Sequence, residues 1–300
     1  MAHKLAVLAR APLPQEKGMP ELPEVETIAH GLQAVLRGRR VCHVEVLWPR
    51  IVDRPAPSEF CERLTGATVE TIGRRGKYLV LSLDNGQTLL SHLRMSGRFA
   101  LRSHQAEAEA TVRHVHLRMQ TDEGLCLLYI DPRKFGRFYL VDDPDEVLGH
   151  LGPEPLDPTL RPEDLHARFA TRRIAIKQLL LDQRAIAGLG NIYANEILWQ
   201  AQIHPRRETC SLSTEEWQRL WQAMRQVITE SLQAGGTTLN DRHYLSPTGE
   251  IGGFAPRLKV YGREDKACPR CGGIIKRIVQ GQRSTYYCPV CQTTACQGTV

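Results

Sequence analysis

Four groups of side chains in this 300-residue chain have the types and spacings that chemistry needs. The first is Met19-Pro20-Glu21-Leu22-Pro23-Glu24-Val25-Glu26. A methionine before a small residue such as proline is a substrate for removal of an initiator methionine, which would leave Pro20 with a free secondary amine. An α-amine titrates near about 8, so much of it is neutral and nucleophilic at physiological pH. Such an amine can add to a carbonyl carbon and form a Schiff base, with Glu21 beside it as general acid and base. The same residues also suit the first turn of an amphipathic helix, where proline is tolerated and carboxylates face the positive end of the dipole.

The second group is Arg74-Arg75-Gly76-Lys77-Tyr78, a basic loop at a strand entrance that would place Lys77 near a phosphate or a nucleotide. The third joins His92-Leu93-Arg94-Met95-Ser96-Gly97 to Asp131-Pro132-Arg133-Lys134-Phe135-Gly136. Arg133 and Phe135 are two apart, and in an extended segment they point the same way. A guanidinium and an aromatic ring on one side suit pairing with an orphaned base and wedging between base pairs, as an enzyme requires when it takes a base out of the stack. The bland alternatives are core filler for Met95 and an exposed hairpin edge for Arg133 and Phe135. The fourth group is Cys268-Pro269-Arg270-Cys271 and Cys288-Pro289-Val290-Cys291, two Cys-x2-Cys knuckles with sixteen residues between them. That spacing predicts a tetrahedral four-cysteine zinc site with no open position, one structural Zn²⁺.

The elements that must position these groups follow from periodicity. After the first helix, apolar β-branched runs at 41–47, 67–73, 78–83, 88–93, 112–119 and 125–130 are separated by turn signals such as Asp84-Asn85-Gly86-Gln87, which predicts a β-sandwich or barrel-like domain. Prolines and a glycine at 151–156 mark a linker. Beyond it, apolar spacings of three and four predict helices over 162–170, 174–181, 191–200 and 213–233, with Ser213 opening a capping box. Ala187-Gly188-Leu189-Gly190-Asn191 lets backbone amides approach an anion at a helix amino terminus, beside Arg172, Arg173 and Lys177. Between the cysteine knuckles, 273–279 and 284–287 read as a short hairpin that the metal would anchor.

These motifs, in this order, resemble the formamidopyrimidine-DNA glycosylases from Met19 to about Cys291. The resemblance implies a multi-domain α+β fold: an N-terminal β-sandwich with a leading helix at 19–150, a helical helix–two-turns–helix domain at 151–262, and a four-cysteine zinc-finger hairpin at 263–296. It implies excision of oxidised purines from double-stranded DNA through a Schiff base on the proline, then β,δ-elimination at the abasic site. Pro20, Glu21, Lys77 and Arg283 become the catalytic set. His92, Met95, His114, Arg133, Phe135, Arg172, Lys177 and Asn191 become DNA contacts, with Met95 entering the space left by the extruded base. Cys268, Cys271, Cys288 and Cys291 become the zinc ligands. A loop near 236–254 would cover the flipped base.

Residues 1–18 match nothing in that pattern. Were they attached, the Pro20 nitrogen would be a tertiary amide with no lone pair for attack, so a working chain that starts at Met19 is expected. With them retained, a non-catalytic lesion-binding protein becomes the competing reading, and within the enzyme class an endonuclease VIII-like pyrimidine glycosylase is the other. Net charge is +6, and the segment from Val260 to Val300 holds six basic against two acidic residues, which fits a polyanionic partner. No apolar run approaches a membrane span, and the run at 5–9 is shorter than a secretory core. The remaining cysteines, Cys42, Cys61, Cys126, Cys210 and Cys296, fit free thiols in a reducing cytoplasm. A cytoplasmic, nucleoid-associated monomer is expected.

Overall fold

The computed structural model describes residues 19–103, 112–238 and 252–293. The expected extension at 1–18 and most of the expected lesion-covering loop lie outside the described residues. Helix α1 (Leu22–Leu36) starts with proline in its first turn and buries a stripe of Val25, Ile28, Ala29, Leu32 and Leu36. That stripe packs on two sheets. One has the order β1 (Val41–Val46), β7 (Val115–Thr121), β8 (Leu125–Ile130), β6 (Arg98–Ser103). The other runs β2 (Val52–Arg54), β9 (Arg137–Val141), β5 (Thr88–His92), β4 (Tyr78–Leu83), β3 (Val69–Arg75). Inward residues from both, among them Val44, Leu117, Met119, Leu127, Tyr129, Leu81, Leu89 and Phe138, share one core with α1. The alternation of buried and half-buried positions along β4 is the sandwich signature that the sequence carried.

Three strands, β2, β6 and β9, and a helix α2 (Pro57–Leu64) escaped the sequence reading. β2 is three residues long, and α2 is polar on average with only Phe60 and Leu64 buried, so each carries a weak apolar signal. β6 and β9 abut the functional loops, where Arg98, Arg102 and Arg137 interrupt the apolar pattern.

A short helix α3 (Asp145–Leu148) leads to the linker, and a second core begins beyond it. It is built from α4 (Pro162–Phe169), α5 (Ile176–Leu181), α6 (Asn191–Gln200) and α7 (Thr214–Gln233). Ser213 caps α7 as expected: its hydroxyl accepts from Glu216 N at 3.3 Å while the Glu216 carboxylate accepts from Ser213 N at 2.9 Å. Leu22, at the start of α1, belongs to this second core rather than to the sandwich. The opening motif therefore sits where the two cores meet.

The last unit is a two-stranded hairpin, β10 (Lys276–Gln280) and β11 (Arg283–Tyr287), whose turn residues Gly281 and Gln282 both have positive φ. This left-handed pair matches the right-handed twist of the strands. Among the described residues, no helix is long and apolar enough to cross a membrane.

Candidate active site and DNA-facing surface

Pro20 is buried immediately before α1, and Leu22 N donates to Gly188 O at 3.0 Å, which docks the start of the helix on the Gly188-Leu189-Gly190 turn. The Glu21 carboxylate is 2 % exposed. It accepts hydrogen bonds from Gly190 N (2.7 Å), Ile192 N (2.8 Å) and Tyr193 N (3.4 Å), the first amides of α6. Sequence reasoning expected this glycine turn to hold an anion, and it does; the anion is the chain's own Glu21. A buried carboxylate is tolerated there because unpaired amides and the helix dipole replace its water. A Cβ on Gly190 would stand 2.5 Å from Glu21 Oε1, so only glycine leaves room for the group.

Glu24 lies one turn on and is equally buried. It accepts from Glu21 N (2.9 Å), the Tyr193 hydroxyl (2.5 Å) and Thr237 N (2.6 Å). Burial, with the neighbouring Glu21 charge, raises its carboxyl to about 7. Burial likewise pushes Glu21 up, against the pull of Lys77 and the three amides. Lys77 is 5 % exposed. Burial lowers its ammonium to about 8; Glu21 opposes that shift and Arg283 adds to it. The four expected catalytic residues thus converge: Pro20 adjoins Glu21 in the chain, and Lys77 feels the charges of both Glu21 and Arg283.

Lys77 is held by contacts that the sequence did not reveal. Glu154, read only as part of the linker, accepts from Gly76 N at 2.6 Å and from Arg74 Nη1 at 2.7 Å, and Arg75 Nη2 donates to Gly152 O at 2.7 Å. Arg74 also reaches Glu26 of α1 at 2.5 Å. The linker therefore fastens the Lys77 turn to the helical domain, and the basic loop is an ion-paired joint.

The third group assembles on one buried carboxylate. Asp131, fully buried, accepts from Arg133 N (3.1 Å), Phe135 N (2.8 Å), Gly136 N (2.9 Å) and the Tyr129 hydroxyl (3.2 Å), and also from the Ser96 hydroxyl. Ser96 belongs to the Met95 loop, so a single side chain ties both loops together. Arg133 Nη1 lies 3.2 Å from Met95 Sδ, and its guanidinium sits 4.7 Å over the Phe135 ring, which is 46 % exposed. The three side chains do converge, but not by strand alternation as expected. The segment is a turn with Lys134 at φ 59°, and Lys134 Nζ rests 3.8 Å over the Trp48 ring. An exposed Phe135 with no core to fill has the form of a wedge.

His92 is buried, its Nδ1 accepting from Arg94 N at 3.0 Å, and its ring lies edge-on to Tyr78. Burial lowers it to about 3, so it stays neutral with the proton on Nε2. His114 is exposed at φ 64°, and its carbonyl accepts from Asp131 N at 3.0 Å, which puts it beside the wedge loop. Arg172 is exposed, with its guanidinium 5.1 Å over Phe169.

Lys177 and Asn191 both meet the zinc-finger hairpin. Lys177 is 1 % exposed; its ammonium donates to Ser284 O (3.0 Å) and Thr285 Oγ1 (2.7 Å), and Asn191 Nδ2 donates to the same Ser284 O (3.0 Å). Both clasp β11, the strand that begins with the exposed Arg283. An open phosphate contact by the Lys177 ammonium is replaced by positioning of the hairpin.

The four knuckle cysteines lie with every sulfur within 4.8 Å of the others, Cys271 and Cys288 at 3.5 Å and Cys268 and Cys291 at 3.9 Å. A tetrahedral zinc with Zn–S of about 2.3 Å requires S···S edges of about 3.8 Å, close to the spacing this donor set already has.

The sequence from residue 19 to 138 matches the formamidopyrimidine-DNA glycosylase N-terminal domain, 151–243 the H2TH domain of the same enzymes, and 265–294 the zinc finger found in FPG and IleRS. The formamidopyrimidine-DNA glycosylase of Bacillus cereus is 44 % identical over 91 % of this chain and 99 % of its own. That of Novosphingobium aromaticivorans is 46 % identical over 91 % and 100 %. This chain belongs to the formamidopyrimidine-DNA glycosylase family. Solved structures of the Lactococcus lactis Fpg, one with abasic-site DNA and one with Fapy-dG DNA, superpose with TM-scores of 0.83 at 34 % and 35 % identity, each covering 91 % of this chain and 99 % of that one.

Within that family frame, Glu24, Tyr193, Glu154 and Asp131 are the site residues that motif reading passed over. Each had a signal. Glu24 stands three residues after Glu21, the capping-box spacing. Asp131 precedes a proline turn with amides two, four and five residues on, the habit of a side chain that organises a loop. Tyr193 and Glu154 had none, because their partners are distant in the chain.

Proposed function

We propose that this chain is a bifunctional DNA glycosylase and abasic-site lyase of base excision repair that removes oxidised purines, 8-oxoguanine and formamidopyrimidines, from double-stranded DNA. The working chain begins at Pro20. Its secondary amine attacks C1′ of the damaged nucleotide, the C1′–N9 bond breaks, and the base leaves with a proton. The sugar ring then opens at O4′, giving an iminium between Pro20 and C1′. Lys77 as an ammonium stands ready to supply a proton to a leaving group. Glu21, held on the amides of α6 and pushed upward by burial, exchanges a proton with O4′ and C2′. β-Elimination followed by δ-elimination then cuts the strand on both sides of the lesion, with Arg283 against a phosphate.

The observation that carries this reading is the seat of Glu21. A carboxylate immediately after the proposed nucleophile is fixed by three backbone N–H groups and faces a buried lysine. Support for base extrusion comes from Met95, Arg133 and Phe135 converging at a single point; Arg172 and His114, both exposed, suit phosphate contacts that position without specifying sequence. His92 is neutral and offers an N–H. The Cys268, Cys271, Cys288 and Cys291 set would hold one structural zinc, which supplies rigidity to the hairpin and takes no part in the chemistry. The domain limits are 19–150, 151–262 and 263–296, and the protein works on the nucleoid as a monomer. The resemblance to enzymes named for formamidopyrimidine excision favours oxidised purines over the endonuclease VIII-like reading. A substrate panel of 8-oxoguanine opposite cytosine against thymine glycol tests this: preferential release of thymine glycol would overturn it.

A further inference from the structure

Helix α6 holds Glu21 at its amino end, and the zinc module grips its carboxyl end. Trp199, 6 % exposed, shares an apolar cluster with Val260, Ile275 and the ligands Cys268 and Cys288. Its indole Nε1 donates to Cys268 Sγ at 3.4 Å. Arg270, inside the first knuckle, lies 4.1 Å over the indole and donates to the carbonyls of Trp199 (2.9 Å) and Gln200 (3.3 Å). Those carbonyls are among the ones a helix terminus leaves without partners. The indole is thus fixed from both sides, its N–H aimed at a sulfur.

An indole N–H is a donor only, and buried donors need acceptors. A zinc-bound thiolate is a far better acceptor than a thiol, and four thiolates on one Zn²⁺ carry a net charge of −2 that N–H donors relieve. Cys271 and Cys288 have backbone donors from within the knuckles, Gly273 N at 3.4 Å and Cys291 N at 3.5 Å. Cys268 has backbone donors from Arg270 and Cys271 and, in addition, a side-chain donor from another domain.

We propose that Trp199 is an outer-sphere residue of the zinc centre, its N–H holding the Cys268 thiolate so that α6 helps to retain the metal. This rests on the zinc reading of the cysteine set. Removing an outer-shell partner costs about 10- to 100-fold in metal affinity. The full-length Trp199→Phe protein, which keeps the ring and lacks the donor, should lose zinc to a chromophoric chelator with at least about a ten-fold weaker apparent affinity. In the cobalt-substituted protein its sulfur-to-cobalt charge-transfer band should shift, because one sulfur has lost its hydrogen bond. Ile275→Val, in the same cluster, is the packing control and should move neither readout.

Zinc affinity within two-fold of the parent together with an unshifted band would overturn the proposal. So would equal effects from Ile275→Val, since packing alone would then account for them. A parent protein that gives no tetrahedral cobalt spectrum would overturn the zinc reading itself, and this proposal with it.

Discussion

The Gly190 position tests the seat of Glu21 most sharply. In Gly190→Ala the new Cβ would lie 2.5 Å from Glu21 Oε1 and 2.7 Å from its Cγ. The group it meets is a buried carboxylate already fixed by three N–H donors, so the carboxylate must leave its seat. A hydrogen bond to a charged group contributes about 1.5–3 kcal/mol. Losing two of the three predicts a stability loss of about 3–6 kcal/mol. At about 2–4 °C per kcal/mol for a chain of this size, Tm falls by about 6–24 °C. Displacing a general acid–base group removes about 10²–10⁴ in rate. Single-turnover cleavage of a duplex with 8-oxoguanine opposite cytosine, run well below the lowered Tm, should therefore slow by at least about 100-fold, while zinc content and affinity for undamaged duplex stay within a few-fold of the parent. Glu21→Gln, which keeps the shape but not the proton-transfer group, should share the slow cleavage with a smaller loss of stability. A folded Gly190→Ala protein that cleaves at the parental rate would refute the role assigned to that seat.

Lys77 should set an alkaline limb. Burial depresses its ammonium to about 8, so a step that needs the protonated form fades as pH rises through about 8 rather than near 10.5, and Lys77→Arg should lower the rate yet move that limb upward; a profile flat to pH 10 in the parent would contradict this. Phe135→Ala should slow lesion excision by about 10- to 100-fold, the value of one base–aromatic stack of roughly 1–3 kcal/mol, with thermal stability changed by less than about 0.5 kcal/mol because the ring covers no core. Stripping the zinc should expose 268–291 to limited proteolysis and weaken duplex binding while the sandwich stays folded, since a lone two-stranded hairpin is marginal. Duplex affinity should fall by orders of magnitude between low and moderate salt if several phosphates are neutralised, and a weak salt response would argue against the proposed surface.

The parts of this fold that were legible in the sequence are those specified locally. The two Cys-x2-Cys knuckles and the Ser213 capping box are each set by residues three apart in the chain, and each has the predicted form. The opening motif gave the residues of the site but not their arrangement. Glu21 read as a general acid and base beside Pro20, with no sign that its partners are the amides of Gly190, Ile192 and Tyr193, some 170 residues on. Periodicity cannot carry a contact of that range. The same limit explains Glu154, whose place in a proline-rich linker concealed its grip on Arg74 and Gly76. Lys177 meets the same limit: the resemblance implied a DNA contact, and its burial against Ser284 and Thr285 depends on a hairpin more than 100 residues away. The Arg133 and Phe135 side chains meet as expected, but for another reason. Arg133 and Phe135 meet because Asp131 gathers their amides and Lys134 adopts a left-handed conformation, not because a strand alternates.

The central claim is that the Pro20 nitrogen is the nucleophile, and it can be tested by covalent capture. Protein expressed from its own genomic region, so that the natural start is used, would be incubated with duplex carrying 8-oxoguanine opposite cytosine in the presence of borohydride. The trapped species would then be mapped by peptide mass spectrometry. The account predicts one DNA adduct, on an amino-terminal Pro20. An intact residue 1 or 2 at the terminus, tight lesion binding and no adduct would contradict it and favour a protein that binds damage without cutting.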